Sequence, residues 1–348
     1  MTIKVLVVDD SALIRQILSE IIKSEPDMIL VGAAPDAFVA KKLVLEKAPD
    51  VITLDIEMPK VDGLRFLEVL MNAKPTPVVM ISTLTEKGAD ATLRSLELGA
   101  IDFVAKPKIG VAQGMADYHE MIVEKIRTAA RSKVKKRNPT KSAAVKTVSY
   151  SGTEKVIAIG ASTGGTEAIK EVLSTFPANA PATVITQHMP AGYTSTFAKR
   201  LDAVCQMQVK EAKGGERLLP GQAYLAPGDK HMEIERSGAD YRIRLSDGPR
   251  VSGHKPSVDV LFTSLCRSAG SNAIGVLLTG MGSDGAMGLL ELRNAGSETF
   301  CQDEASCIVF GMPKVAIEKG AAKSVISLED MGSVVMNTVE KLDAGSRL

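Results

Sequence analysis

Short runs of β-branched and aliphatic residues alternate with longer amphipathic stretches along most of this chain. KVLVV precedes SALIRQILSEII, and DVITL, PVVMIS and DFVAKP follow in turn. Strand-length apolar runs separated by helix-period segments predict βα units around a parallel sheet. The rhythm stops between Arg131 and Lys146, where seven Lys or Arg residues occur without an acid and Asn138-Pro139 breaks any period. A solvated tether fits that stretch, with nucleic-acid contact the competing reading. The alternation resumes in KVIAIG, TEAIKEVLSTF, ATVITQH, AIGVLLTG and AMGLLELRNAG. From about Met207 to Asp247, GQAYLAPGD and YRIRLSDG predict short strands with tight turns, an antiparallel extension on a doubly wound, mainly parallel sheet. The expected organisation is two α/β domains, 1–125 and 153–348, joined by a basic linker over 126–152.

Length agrees with this division, because 348 residues at roughly 150 per domain imply two cores. Hydrophobic residues at 45% and charged residues at 24% are the balance of a soluble globular chain. A net charge of +1 implies no global attraction to nucleic acid or anionic lipid. Asp9 and Asp10 cut the N-terminal apolar run short of a signal peptide, and no other run approaches the roughly 20 residues that cross a bilayer. A cytoplasmic location without membrane insertion is expected. Cys205, Cys266, Cys301 and Cys307 show no CxxC spacing and read as reduced thiols, with a metal at Cys301 and Cys307 the competing reading.

In open α/β sheets ligands collect at the carboxyl ends of strands. There the first domain places Asp9 and Asp10 after KVLVV, Asp55 after VITL, Ser82 at the end of PVVMIS and Lys106 after DFVA. Crowded carboxylates repel one another unless a cation joins them, and a hard ion such as Mg²⁺ with oxygen ligands resolves the conflict. Mg²⁺, the Lys106 ammonium and the Ser82 hydroxyl together would neutralise a phosphoryl group on Asp55. Over residues 1 to about 125 the chain resembles the flavodoxin-like (βα)5 receiver domain of two-component response regulators. The resemblance implies that Asp55 is the phosphoacceptor and that Asp9, Asp10, Asp55 and the Glu57 carbonyl hold Mg²⁺. It implies that Ser82, Lys106 and Phe103 relay the phosphorylated state, and that Lys106-Pro107 is a cis peptide.

In the second domain, Gly160-Ala161-Ser162-Thr163-Gly164 matches G-x-S-x-G between a strand and a helix, the pattern of a strained turn that exposes a serine beside a helix N-terminus. A Walker A loop would need Lys where Thr166 follows Gly165. Among His119, His188, His231 and His254, His188 ends ATVIT at QHMP, on the expected edge of the same sheet, and His231 in APGDKHM is the rival base. Asp284 in LLTGMGSDGAMGL lies in another strand-to-helix turn and suits the orienting carboxylate. The same loop fits the dinucleotide pattern G-x-G-x-x-G, with Asp303 near the expected distance beyond, so a nicotinamide enzyme competes.

Three strand-end loops bearing Ser, His and Asp favour acyl-transfer hydrolysis, although their order differs from that of the α/β-hydrolase fold. GASTGGTEAI, QHMPAGYTSTFAKRLD, YLAPGDKHM, KPSVDVLFTS, LLTGMGSDGAMGL and QDEASCIVFGMP resemble the catalytic domain of the chemotaxis response-regulator methylesterases. The resemblance implies Ser162 as nucleophile, His188 as general base and acid and Asp284 as its orienting partner. It further implies Met281, with Thr163 in support, at the oxyanion site, and no cofactor for ester hydrolysis. Ala191 and Tyr193 depart from the family's usual Pro and Phe, an expected adjustment of receptor docking. The implied activities are hydrolysis of glutamyl γ-methyl esters on methyl-accepting chemoreceptors and deamidation of receptor glutamines. The implied phosphodonor is a chemotaxis histidine kinase, with the unphosphorylated receiver expected to cover the esterase cleft. A DNA-binding response regulator with a helix-turn-helix output is the alternative from another class.

Overall fold

In the computed structural model, residues 2–83, 85–106, 112–132 and 154–345 are described, and they form two compact units, one on each side of residues 133–153. Most of the tether expectation and Pro107 of the expected cis peptide lie outside the described residues. The first unit runs β1 (Ile3–Val8), α1 (Ala12–Ser24), β2 (Met28–Ala34), α2 (Ala37–Lys47), β3 (Val51–Asp55), α3 (Gly63–Ala73), β4 (Val78–Ser82), α4 (Glu86–Glu97), β5 (Asp102–Ala105) and α5 (Ala112–Arg131). Its five parallel strands take the order β2-β1-β3-β4-β5, the doubly wound arrangement of flavodoxin. Strands β3 and β4 are buried throughout, which is why they read as continuous apolar runs rather than alternating ones. Helix starts follow local chemistry: Ser11, Asp36, Asp62 and Thr85 each accept a backbone N–H of the first turn.

Helix α5 corrects one boundary, because it continues past residue 125 to Arg131. Ile126 and Ala129 are buried, and Arg127 donates to Asp27 at 2.8 and 2.6 Å and to Glu25 at 2.6 Å. Those basic residues belong to a packed helix before they belong to a tether.

The second unit runs β6 (Val156–Ala161), α6 (Gly165–Leu173), β7 (Ala182–Gln187), α7 (Thr194–Asp202), β8 (Gln208–Glu211), β9 (Gln222–Leu225), β10 (His231–Ser237), β11 (Asp240–Ser246), α8 (Val258–Ala269), β12 (Ala273–Leu277), α9 (Ala286–Asn294), β13 (Glu298–Gln302), α10 (Met312–Glu318), β14 (Ser324–Ile326) and α11 (Leu328–Gly345). Seven strands form one parallel sheet in the order β14-β13-β12-β6-β7-β9-β8. The antiparallel part is a separate two-stranded ribbon, β10 with β11, while β8 and β9 lengthen the main sheet in parallel. Tyr224, Phe262, Leu277 and Leu289 are fully buried in the core that joins the ribbon, α8 and α9 to the sheet. No helix of the described residues is long and apolar enough to cross a membrane.

Candidate active site

The chain winds outward from β6 in both directions, through β7 on one side and β12 on the other. Loops at the carboxyl end of β6 and β12 therefore diverge, and such a switch point leaves a crevice for a ligand. Ser162 is the first residue beyond β6. Its N–H donates to the Thr279 carbonyl at 3.0 Å, which ties it to the loop after β12. Ala161 pairs with Gln187 and the His188 N–H donates to the Ala161 carbonyl at 3.1 Å, so Ser162 and His188 leave neighbouring strands at one level. The buried Gln187 side chain bridges both, its Nε2 donating to the Ser162 carbonyl at 2.9 Å and the His188 carbonyl at 3.1 Å. The left-handed backbone of this turn falls on Gly164, at φ 78°, and not on the serine. Helix α6 begins at Gly165, so its first amides lie beside the serine, where they favour developing negative charge.

His188 Nε2 and Asp284 Oδ2 are 2.7 Å apart, with side chains 7% and 1% exposed. Asp284 also accepts the Ser257 hydroxyl at 2.7 Å, the Val258 N–H at 2.7 Å and the Asp259 N–H at 3.1 Å. Burial alone would raise its pKa, but the His188 hydrogen bond and charge, with Ser257 and Val258, hold the carboxyl below its ordinary range. An ionised carboxylate only accepts, so Nε2 carries the proton and the neutral ring keeps its lone pair on Nδ1. That atom is buried and has no hydrogen-bond partner among the described residues, so no bond to the Ser162 hydroxyl is formed in this state; apo sites commonly leave this contact loose.

The rival base is otherwise engaged. His231 is 2% exposed, its Nε2 donates to the Pro249 carbonyl at 2.8 Å and its Nδ1 accepts the Ser257 N–H at 3.2 Å. His119 lies in the first unit, 3.2 Å from the Ser24 hydroxyl. Two of the glycines in the 280–285 loop, Gly280 and Gly285, are required by close packing. A Cβ on Gly280 would lie 2.3 Å from Met312 Sδ and 2.7 Å from Ser162 Cβ, and one on Gly285 would meet Val258 Cγ1 at 2.6 Å. Asp303 caps its own turn by accepting the Ser306 N–H at 3.0 Å. Cys301 and Cys307 are buried thiols, and burial pushes both up to about 12. Met281 lies in the loop after β12 and is partly exposed, Thr163 is buried beside Ser162, and Tyr193 is fully buried while Ala191 is exposed. The phenol of Tyr193 is thus a packing group and not a docking contact.

Asp9, Asp10 and Asp55 each bring a carboxylate oxygen within 4.8 Å of the others at the edge of the first sheet. Lys106 Nζ lies 2.8 Å from Asp55 Oδ2 and 3.2 Å from Asp9 Oδ2, and neither oxygen has an aligned hydrogen bond. Burial pushes the Asp55 carboxyl up to about 6 against the pull of the adjacent Lys106 ammonium, with the Asp9 charge adding to the rise. Buried, underserved oxygens of hard type fit Mg²⁺. The Glu57 N–H donates to Asp55 Oδ1 at 3.3 Å, which sets its backbone beside the cluster. A Cβ on Gly63 would lie 2.0 Å from the Asp55 carbonyl oxygen; only glycine lets α3 start so close to the end of β3. Phe103 is buried in β5, and the Ser82 hydroxyl is turned into α4, between Thr92 Oγ1 at 2.5 Å and the Gly88 carbonyl at 3.4 Å.

Sequence reasoning missed Ser257, Val258 and Asp259 at the start of α8 as partners of Asp284, Gln187 as the bridge, and His254, whose ring stacks on His188. Ser257 had a readable signal as a helix N-cap, but nothing local marked its partner.

Family models place these sites in context. One described as CheB methylesterase matches residues 157–335, and one described as response regulator receiver domain matches residues 5–112. The chain is 58% identical over 349 residues to the protein-glutamate methylesterase/protein-glutamine glutaminase of Chromohalobacter salexigens, with 99% of both chains covered. It is 56% identical over 353 residues to the protein-glutamate methylesterase/protein-glutamine glutaminase 2 of Pseudomonas aeruginosa, with 100% of both covered. Among solved structures it is similar to the catalytic domain of the Thermotoga maritima CheB methylesterase, at TM-score 0.53 and 34% identity over 54% of this chain and 100% of that one. With a receiver domain preceding a methylesterase domain and relatives this similar over their full length, the chain belongs to the protein-glutamate methylesterase/protein-glutamine glutaminase family of chemotaxis response regulators.

Proposed function

We infer that this chain is a phosphorylation-activated chemotaxis response regulator that hydrolyses glutamate γ-methyl esters on chemoreceptors and deamidates receptor glutamines. The observation that carries the reading is the Asp284–His188 pair, whose free Nδ1 belongs to a strand end beside the Ser162 loop. Ser162 Oγ attacks the γ-carbonyl as His188 Nδ1 takes its proton, and Asp284 stabilises the imidazolium. The backbone around Met281 and Thr163, with the first amides of α6, supports the oxyanion. The intermediate collapses, His188 returns the proton to the leaving oxygen, and methanol departs. Water, deprotonated by the same nitrogen, then releases glutamate; ammonia replaces methanol when the substrate is glutamine.

Asp9, Asp10, Asp55 and the Glu57 carbonyl would hold Mg²⁺, which when bound offsets the charge of a phosphoryl group on Asp55. Lys106 supplies a further positive charge there, while Ser82 and Phe103 report the modification. The phosphodonor is a chemotaxis histidine kinase, the location is the cytoplasm, and the basic stretch after α5 tethers the two domains. The decisive experiment is methanol release from methylated receptor membranes by the full chain and by Ser162→Ala. The variant is expected to lose about 10⁴-fold or more in kcat; near-normal release would end the esterase reading.

A further inference from the structure

We propose that His254, a residue outside the Ser162, His188 and Asp284 set, is a positioning residue that clamps the ring of the base from one face. This rests on the reading of His188 as general base. The two imidazoles lie with centroids 3.7 Å apart and planes 12° from parallel. A hydrogen bond at Nε2 alone fixes one corner of a ring whose χ2 torsion is intrinsically broad. Nδ1 has no partner to fix the opposite corner. A flat group against the face removes the remaining swing, and keeps the Nδ1 lone pair directed where a serine proton must arrive.

The chain around His254 is built to deliver that ring. Pro249 and Ser257, at the two ends of the segment, both bond to the buried His231 imidazole, at 2.8 and 3.2 Å. Between these anchors Val251 and His254 exchange backbone hydrogen bonds of 3.0 and 2.9 Å. Ser252 and Gly253 take φ values of 53° and 80°, the positive-φ pair that closes a two-residue hairpin in the sense of strand twist. At the second anchor and the residue after it, Ser257 Oγ and Val258 N bond Asp284, each at 2.7 Å. One pinned segment thus touches both members of the proton-relaying pair, with His254 on the imidazole and Ser257 and Val258 on the carboxylate. His231, which resembled a second base in the sequence, is the post to which that segment is tied.

The test measures kcat and KM for methanol release from methylated receptor membranes by the full-length protein carrying His254→Ala, His254→Gln or His254→Phe. Loss of the flat face is expected to lower kcat by about 10- to 100-fold in Ala and Gln with KM within about twofold, the signature of a misdirected group rather than a lost substrate contact. His254→Phe keeps a ring and is expected to stay within about threefold of wild type. Should the Ala variant fail to fold, the contrast between Gln and Phe decides. Wild-type kcat in Ala and Gln, a rise in KM alone, or a Phe variant as slow as Ala would each overturn the clamp. Ser162→Ala run alongside separates the two readings: activity in that variant overturns both, whereas its loss beside an unaffected His254→Ala overturns the clamp only.

Discussion

Replacing Asp284 with Asn separates what the carboxylate does by geometry from what it does by charge. Its four donors are His188 Nε2, Ser257 Oγ and Val258 N, each at 2.7 Å, and Asp259 N at 3.1 Å. An amide offers one acceptor oxygen and one donor nitrogen in the same volume, so at least one backbone N–H must face an N–H. The milder arrangement keeps oxygen toward His188 and Val258 and turns nitrogen toward Ser257, whose hydroxyl rotates to accept, and Asp259, which cannot. That arrangement preserves the proton on Nε2 but removes the negative charge. Imidazolium and carboxylate at an effective separation of about 4 Å and an effective dielectric of about 20 attract by about 4 kcal/mol, equivalent to about 10³ in rate. The expected outcome is a fall of about 10³ in kcat for methanol release, little change in KM, and ¹⁵N imidazole shifts that still report protonation at Nε2. The unpaired Asp259 N–H should cost about 1–3 kcal/mol of folding stability. The wild-type carboxyl pKa lies below its ordinary value of 3.8. The wild-type advantage is therefore full above that value and shrinks as pH falls through the folded-state pKa, as denaturant titrations of both proteins would record. A variant within tenfold of wild-type kcat would refute the charge argument, and a proton moved to Nδ1 would refute the stated geometry.

Three further outcomes follow from other parts of the molecule. Asp55→Asn is expected to abolish activation by a phosphodonor while leaving basal methanol release, and chelating Mg²⁺ should block phosphorylation of the wild type with the same sparing of basal release; full activation in either case, followed by radiolabelled phosphate and methanol, would refute the proposed switch. Gly280→Ala places a Cβ 2.7 Å from Ser162 Cβ and 2.3 Å from buried Met312 Sδ, so a cost of about 1–3 kcal/mol in thermal or chemical unfolding and up to about 10² in kcat are expected, and unchanged kinetics would show that the serine loop is not set by this contact.

The periodicity of apolar runs located the sheets, and the carboxyl-edge rule then ranked Ser162, His188, Asp284 and Asp55 above other polar residues, because strand direction alone decides which loops share an edge. In the sequence His188 stands apart from His231 as a strand-end residue and by the family resemblance; in the structure both nitrogens of His231 are committed, to Pro249 and Ser257. The expected linker start at residue 126 falls inside α5, although buried Ile122, Ile126 and Ala129 repeat at helical spacing and carry the helix past it. The antiparallel strands were legible as strands, but not their separation from the main sheet, which depends on where residues 226–231 turn.

What stayed hidden has one cause. The donors that hold Asp284 and the ring that covers His188 come from residues 251–259, whose own signals are local: a Ser-Gly turn and a Ser N-cap. Those signals state that the segment folds back and starts a helix, and say nothing about what it meets. Its destination is set by His231 and by the packing of α8 against β10 and α9, interactions between positions far apart in the chain. A strand-end serine, histidine and aspartate can thus be assigned to one sheet edge by topology, whereas the hydrogen bonds and the stacked ring that hold the imidazole and the carboxylate depend on tertiary packing and require coordinates.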